Sequence, residues 1–204
     1  MRKPIGISRK IWLSLPLLLL GACLGGSPPV RYFLLTPTSA GVAPVVKGGM
    51  EKPLLVVEPV ELPPYLNRSQ IVTRNSENYL HLAQTEQWGD NLRENISRVL
   101  LENLSTLLGT DRISSPVVLA QERPTWRVAT QVSQFERGAD GKIVLKARWR
   151  LVESQTGKVV LVRHVHLTSD AVGLSDYEAV AAGMSGLLWK WSQEMAQEMA
   201  THIR

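Results

Sequence analysis

Ile143-Val-Leu-Lys-Ala-Arg-Trp-Arg-Leu151 alternates between apolar and polar side chains at every position except Val144. Successive side chains of a β-strand point to opposite faces of the sheet. One face of this strand would therefore be apolar, formed by Ile143, Leu145, Ala147, Trp149 and Leu151. The opposite face would carry the cations Lys146, Arg148 and Arg150. The stretch predicts a long strand with one face in the core and the other in water.

The segments on both sides of this strand have the same character. Residues 125–135 alternate as well, and residues 159–168 form a third run rich in apolar and β-branched residues. The connecting tetrapeptides at 138–141 and 154–157 contain the Gly, Asp and Ser residues that are typical of tight turns. We predict that the three strands form an antiparallel meander whose outer positions are polar.

Two further segments have the spacing of amphipathic helices, with apolar residues recurring every three or four positions. The first covers residues 88–108, where Asp90 could cap the start and Gly109 could end the helix. The second covers residues 176–202, with Ser175 as its candidate N-cap. Shorter β-rich runs lie at 31–35, 54–57, 70–74 and 79–82. We predict one α+β domain over residues 31–204, with a mostly antiparallel sheet and two main helices packed on one face.

The N-terminus has the three parts of a secretory signal. Four cations, Arg2, Lys3, Arg9 and Lys10, precede an apolar run from residue 11 to residue 20, and small residues follow at 21 and 22. The apolar run is about half the length needed to span a bilayer. We therefore predict a signal peptide over residues 1–22.

The residue directly after this signal is Cys23, the single cysteine of the chain. Leu20-Gly-Ala-Cys23 resembles the lipobox of bacterial lipoproteins, in which the peptide is cut before a diacylated cysteine. This resemblance implies a lipid on Cys23 and a tether over residues 23–30. An ordinary secreted protein with a cysteine there by chance is the alternative.

The position after the lipidated cysteine bears on the location of the protein. Leu24 stands where an Asp would resemble an inner-membrane retention signal. The resemblance therefore favours the outer membrane, with the domain facing the periplasm. Apart from the covalent lipid on Cys23, we predict no cofactor.

The net charge argues against a nucleic-acid partner. The full chain has 23 basic and 18 acidic residues, but four of the basic residues belong to the predicted signal. The remaining 182 residues carry 19 basic and 18 acidic side chains. Nucleic-acid-binding domains usually keep a strongly basic balance, so we predict no nucleic-acid partner.

The sequence lacks the common catalytic motifs. It contains no Gly-x-x-x-x-Gly-Lys-Ser/Thr loop and no His-Glu-x-x-His motif. Gly183-Met-Ser-Gly186 lacks the spacing of a nucleophile elbow, and small residues at such a place permit close helix packing. His164 and His166 share a strand face, but no nearby Cys, Asp or Glu completes a metal site. We predict no enzyme and no metal site.

The stretch from Tyr65 to Arg74 is the candidate for a partner-binding surface. It combines an aromatic ring, apolar side chains and two arginines beside a predicted hairpin, a composition that suits protein interfaces. The residues that we single out are Tyr65, Leu66, Arg68, Gln70 and Arg74. The alternative is a loop that folds back onto its own sheet.

Three stretches together resemble a known family, the PqiC-type auxiliary lipoproteins of ABC-type transport systems. They are the segments at 32–37 (Tyr-Phe-Leu-Leu-Thr-Pro), 57–74 and 88–104. The family often has Asp and Pro where this chain has Asn67 and Ser69. The resemblance implies an outer-membrane lipoprotein that works with a periplasm-spanning MCE-domain protein, and it implies no catalytic residue.

These observations favour a non-catalytic docking subunit of an MCE-type intermembrane lipid transport system that maintains the envelope. A ring of identical subunits at the end of the transport conduit would fit this role. One alternative is a periplasmic lipid carrier or envelope hydrolase. Another is a structural lipoprotein that stabilises a different envelope complex.

Overall fold

The structure is a computed structural model that describes residues 28–38, 43–45, 54–116 and 123–203. The predicted signal peptide, the lipidation site Cys23 and most of the predicted tether lie outside the described residues.

The described chain forms eight strands and two helices. The strands are β1 (Arg31–Phe33), β2 (Leu55–Val57), β3 (Gln70–Ser76), β4 (Tyr79–Trp88), β5 (Ile113–Ser114), β6 (Trp126–Arg137), β7 (Lys142–Glu153) and β8 (Val159–Ala171). The helices are α1 (Leu92–Leu108) and α2 (Tyr177–His202). Neither helix of this described part is both long and apolar enough to cross a membrane.

All eight strands belong to one sheet that is organised around β6. On one side of β6 lie β7 and then β8, and both pairings are antiparallel as predicted. The other side of β6 is shared: β2 pairs with its first residues, and β3 meets its last residue, Arg137. Outside β2 lies β5, and outside β3 lie β4 and then β1.

The prediction of a mostly antiparallel sheet needs correction, because the sheet is mixed. Among the described strands, β1–β4, β2–β5, β2–β6 and β3–β6 are parallel pairs. Parallel partners are distant in sequence and leave no turn signal between them. The uniformly apolar run at 54–57, which is buried along its whole length, is the one local sign, because parallel strands are covered on both faces.

The first helix starts later than the sequence predicted. Trp88 ends β4, and α1 begins at Leu92. The N-cap is Asn91, whose side chain accepts hydrogen bonds from the backbone N–H groups of Arg93 and Glu94. Asp90 instead accepts a bond of 2.7 Å from the N–H of Asn91. Gly109 ends the helix in the left-handed region as predicted, with φ of 62°.

The second helix packs closely on the sheet. Its N-cap is Asp176, which accepts a bond of 2.9 Å from the N–H of Ala179, rather than the predicted Ser175. A Cβ atom at Gly183 would lie 2.4 Å from the Cδ1 of the fully buried Ile143, whereas one at Gly186 would meet nothing within 4 Å. The small residue at 183 therefore permits close packing, as predicted.

Both helices and the inner face of the sheet enclose one apolar core. The five residues that the sequence placed on the inner face of β7 are all buried, and α1 and α2 supply the facing side chains. Trp149 and Trp191 are the largest fully buried side chains. The opposite face of β7 exposes Lys146, Arg148 and Arg150. The α+β class and the two helices are thus as predicted.

Candidate functional site

The candidate loop begins where the chain leaves the edge of β6. After β2, Glu58 and Glu61 continue beside β6: their N–H groups donate to Val128 and Thr130 carbonyls at 2.9 and 3.0 Å. The chain then departs at Leu62 and returns at Ser69, whose carbonyl accepts a bond of 2.7 Å from the N–H of Trp88. The residues 62–69 therefore form a loop that crosses from the middle of β6, where Glu61 pairs with Gln131, to β3.

The structure divides the predicted contact residues into buried and exposed ones. Leu66 is 2% exposed and belongs to the core, and Gln70 pairs with Gln87 in the β3–β4 ladder. Tyr65 and Arg74 are partly buried and face β6, while Arg68 is exposed. The loop thus folds back onto its own sheet, and Arg68 is the predicted residue that remains available to a partner. Its role in binding stays a prediction.

A buried carboxylate holds this loop in place. The side chain of Glu136 on β6 has no exposed surface. Its Oε1 accepts a bond of 2.7 Å from Nε of Arg74 and one of 3.1 Å from Nε2 of Gln134. Its Oε2 accepts a bond of 2.9 Å from the hydroxyl of Tyr65 and one of 3.1 Å from the N–H of Phe135. Four donors therefore satisfy one buried carboxylate.

We call Glu136 and the side chains bonded to it, Tyr65, Arg74 and Gln134, the Glu136 cluster. The pKa shifts in this cluster keep the Tyr65 phenol neutral and the Arg74 guanidinium charged. Burial, and then the charge of Glu136 and the bond to it, raise the pKa of Tyr65 to about 12. The bond to Glu136 also raises the pKa of Arg74. The guanidinium carbon of Arg74 lies 5.9 Å from the centre of the Tyr65 ring, within the range of a cation–π contact. A neutral phenol, a carboxylate and a guanidinium thus stabilise one another.

The cluster acts as a tie between the loop, β3 and β6 rather than as an acid–base pair. The Glu136 carboxylate is the acceptor in all four bonds. Arg74 also donates a bond of 2.7 Å to the carbonyl of Glu77 in the β3–β4 turn. Sequence reasoning did not single out Glu136. A register shift between Val132 and Gln134 places it on the outer face of β6, where an acid ordinarily points into water. It is covered here by Tyr65, which only the folded loop reveals.

We expect Tyr65 to ionise well above the ordinary value of 10.0 in the folded protein. A raised folded pKa means that the contribution to stability is complete below pH 10 and is lost as the pH rises towards about 12. The difference between wild-type and Tyr65→Phe absorbance titrations, read by a rapid pH jump before any unfolding, should have its midpoint near pH 12. In denaturant the midpoint should fall to about 10. A folded-state midpoint at 10 would contradict the buried bond to Glu136.

A second set of buried polar groups fixes the N-terminal segment, residues 31–38. The amide of Asn95 on α1 accepts a bond of 2.8 Å from the N–H of Leu35 and donates one of 3.0 Å to its carbonyl. Asn103 accepts a bond of 3.0 Å from the N–H of Thr38. The segment that follows the predicted tether is therefore bound directly to the helices.

Ser185, which the sequence places at a motif of small residues, takes part in the same arrangement. Its hydroxyl accepts a bond of 3.1 Å from the N–H of Thr36 and donates one of 2.9 Å to the carbonyl of Ala181. The Ser185 hydroxyl thus uses both its acceptor and its donor in bonds to backbone groups. The side chain positions the N-terminal segment on α2.

The two histidines lie on the outer face of the meander. His164 and His166 on β8 are exposed and stand opposite Arg148 and Lys146 on β7. Within the described part of the chain, no three His, Cys, Asp or Glu side chains come together as a metal site. The neighbours of these imidazoles are cations, which disfavour a bound metal ion.

Comparison with known proteins places the chain in a family. A family model described as "ABC-type transport auxiliary lipoprotein component" matches residues 32–196. The chain belongs to this family. The matched range runs from β1 into the last turns of α2, so it covers nearly the whole described fold of this auxiliary lipoprotein.

The relatives of this auxiliary lipoprotein agree with that placement. It is 27% identical over 189 residues to the "Intermembrane transport lipoprotein PqiC" of Escherichia coli (strain K12), a match that covers 92% of this chain and 94% of the relative. The protein of the same name from Shigella flexneri gives the same values. The family resemblance seen in the sequence is thereby confirmed.

Solved structures show the same fold at low sequence identity. A crystal structure of an uncharacterized protein has a TM-score of 0.68 and 20% identity, and it covers 84% of this chain and 99% of its own. A Xanthomonas campestris protein has a TM-score of 0.62 and 17% identity, and it covers 83% of this chain and 91% of its own. The arrangement of mixed sheet and two helices therefore recurs in proteins with diverged sequences.

Proposed function

We propose that this protein is a lipid-anchored, non-catalytic docking subunit of an intermembrane lipid transport system. The observation that carries the proposal is the match of residues 32–196 to the auxiliary lipoprotein component of ABC-type transport. An auxiliary component works beside the subunits that hydrolyse ATP, which points to a binding role. The likeness to the intermembrane transport lipoprotein PqiC supports lipid transport between membranes as the setting.

The anchor in this proposal is a lipid on Cys23, inserted in the outer membrane so that the domain faces the periplasm. The N-terminal segment supports this arrangement. Residues 28–30 are exposed and lead directly into β1, and the residues after β1 are bound to both helices through Asn95 and Ser185. A force applied at the anchor would therefore be transmitted to the helices and the core, and not to a free end of the chain.

The partner in this proposal is a periplasm-spanning MCE-domain protein, held by several copies of this chain arranged in a ring. Anchoring restricts the copies to a surface and raises the effective concentration of weak contacts. We place one contact at Arg68, because it is exposed in the 62–69 loop, which the bonds of Glu136 to Tyr65 and Arg74 tie to β6 and β3. A fixed loop loses little conformational entropy on binding.

Site-specific photo-crosslinking in living cells tests this proposal. A crosslinker at Arg68 should trap an MCE-domain protein, while one at Lys190, exposed on α2, serves as the control position. If the partner is trapped at Lys190 but not at Arg68, the contact surface lies on the helices and not on the loop. If neither position nor other exposed positions around the domain trap an MCE-domain protein, the docking function is wrong.

A further inference from the structure

The outer face of the meander carries a row of cations that the docking role does not use. Lys146, Arg148 and Arg150 occupy successive outward positions on β7 and are all exposed. Outward neighbours on one strand lie roughly 7 Å apart. We call these three residues the basic strip. His166 and His164 on β8 stand directly opposite the first two of them.

The cations of the strip have no acidic partners. Elsewhere Arg74, Arg127 and Arg163 each have a carboxylate within 4 Å. No described carboxylate lies within that distance of the three strip residues. Their neighbours across the sheet on β6 are neutral, since Gln131 pairs with Arg148 and Ala129 with Arg150. The outward acids nearest to the strip are Glu136, whose oxygens accept bonds from Arg74, Tyr65 and Gln134, and Glu61, beyond Gln131 and two strand spacings from Arg148.

The positive charge of the basic strip is local and does not reflect the net charge of the whole chain. Without the predicted signal, the chain carries 19 basic and 18 acidic side chains, so it is nearly neutral. A nearly neutral domain with three adjacent unpaired cations has a local positive potential on one face. Such a potential attracts an anionic surface within about 8 Å at physiological salt.

The composition of this face favours a lipid surface over a protein partner. Protein interfaces are centred on apolar or aromatic anchors surrounded by a polar rim. The described outward residues of β6, β7 and β8 that flank the strip include no Trp, Tyr or Phe, and the exposed apolar side chains beside it are the small Val162, opposite Arg150, and Val159. Basic residues on an open face without an aromatic anchor suit the headgroups of anionic lipids.

We propose that the basic strip lies against the anionic phospholipid headgroups of the membrane that holds the protein. The inference rests on the lipid anchor proposed above and adds an orientation to it. The lipid on Cys23 would hold the protein on the membrane, and a basic patch would add attraction to the same anionic surface and fix which face of the domain lies on it. With the strip on the membrane, α1 and α2 on the opposite face of the sheet point into the periplasm.

The length of the chain before the domain permits this orientation. Residues 23–30 can span at most roughly 28 Å. Counting from β1 across β4, β3 and β6, the strip lies four strands away, which corresponds to about 19 Å. An anchor at Cys23 can therefore reach the plane of the strip.

Lysine footprinting on vesicles tests this orientation. The protein is purified from cell membranes and reconstituted in vesicles of phosphatidylcholine alone or mixed with phosphatidylglycerol. Acetylation of Lys146 and of Lys190, exposed on α2, is then followed by mass spectrometry. We expect Lys146 to react at least about threefold more slowly on the anionic vesicles, with Lys190 unchanged and the protection lost at high salt.

Matched charge reversals separate the strip from total charge. Arg148→Glu should abolish the protection of Lys146, whereas Arg98→Glu, the same change at an exposed position on α1, should leave it intact. Equal loss with both variants would overturn the proposal. Protection of Lys146 in cells without protection on anionic vesicles would also overturn it, since an acidic protein would then be the partner.

Flotation of the same vesicles measures whether the protein is bound to them, and so tests the lipid anchor separately from the basic strip. Wild-type protein that floats on both vesicle types with equal Lys146 rates would support the anchor and refute the strip. Protein that floats on anionic vesicles alone would refute the anchor and support the strip. The two proposals therefore fail in different ways.

Discussion

Replacing Asn95 with alanine is expected to lower the free energy of unfolding by roughly 2–6 kcal/mol. Asn95 is 1% exposed, and its amide satisfies both the N–H and the carbonyl of Leu35, which is itself 0% exposed. Alanine would leave both backbone groups buried without a partner. Each unsatisfied buried group costs about 1–3 kcal/mol, more than the bond contributes when it is made.

Urea denaturation of Asn95→Ala and Asn75→Ala measures this effect. Asn75 lies exposed near the end of β3, so removal of its side chain should change the free energy of unfolding by less than about 0.5 kcal/mol. Limited proteolysis should also cut the N-terminal segment faster in Asn95→Ala than in wild type. Equal stability of the two variants would show that Leu35 finds other partners, and the link from the tether to the helices would be refuted.

Asn95 and Asn103 are a sequence signal that could have predicted the packing of the N-terminal segment on α1. Both lie in the apolar stripe of α1, between positions such as Leu92, Ile96 and Leu104 that are fully buried. A buried amide needs hydrogen-bond partners. Asparagines within an apolar stripe therefore predict a polar segment packed on the helix, although they do not identify it as residues 35–38.

The elements that the sequence predicted well are those with local determinants. The meander β6–β7–β8 follows from alternation and from the turns at 138–141 and 154–157, which involve neighbouring residues. The parallel pairs β2–β5 and β1–β4 depend on contacts between distant segments. Three of these four strands, β1, β2 and β5, have only two or three residues each, too few for periodicity to be recognised.

The candidate loop shows the same limit at the level of single residues. Its aromatic and basic composition indicated a contact surface, and equally a loop folded onto its sheet. The partner that decides between these for Tyr65 and Arg74 is Glu136, more than 60 residues later in the chain. Spacing in the sequence cannot predict a bond that forms only when the loop crosses β6.

Replacing Glu136 with alanine is expected to cost roughly 3 kcal/mol of stability. The change removes the acceptor for Arg74, Tyr65 and Gln134 at once. Breaking a buried ion pair costs about 3–5 kcal/mol when the remaining charge stays buried. Arg74 keeps a quarter of its side chain exposed and can turn towards water, so the lower end of that range applies. The loop at 62–69 should also become more accessible to protease.

The exposed pair Arg98–Glu102 on α1 provides the matched control. Both side chains are more than 40% exposed, and an exposed helical pair of this spacing contributes about 0.3–0.5 kcal/mol. Glu102→Ala should therefore lose far less stability than Glu136→Ala in the same urea series. If the two variants lose the same amount, Glu136 does not hold the loop, and the rigidity that supports a contact at Arg68 disappears with it. If Glu136→Ala alone is strongly destabilised and also loses the Arg68 crosslink, the buried carboxylate positions the docking surface as well as stabilising the fold.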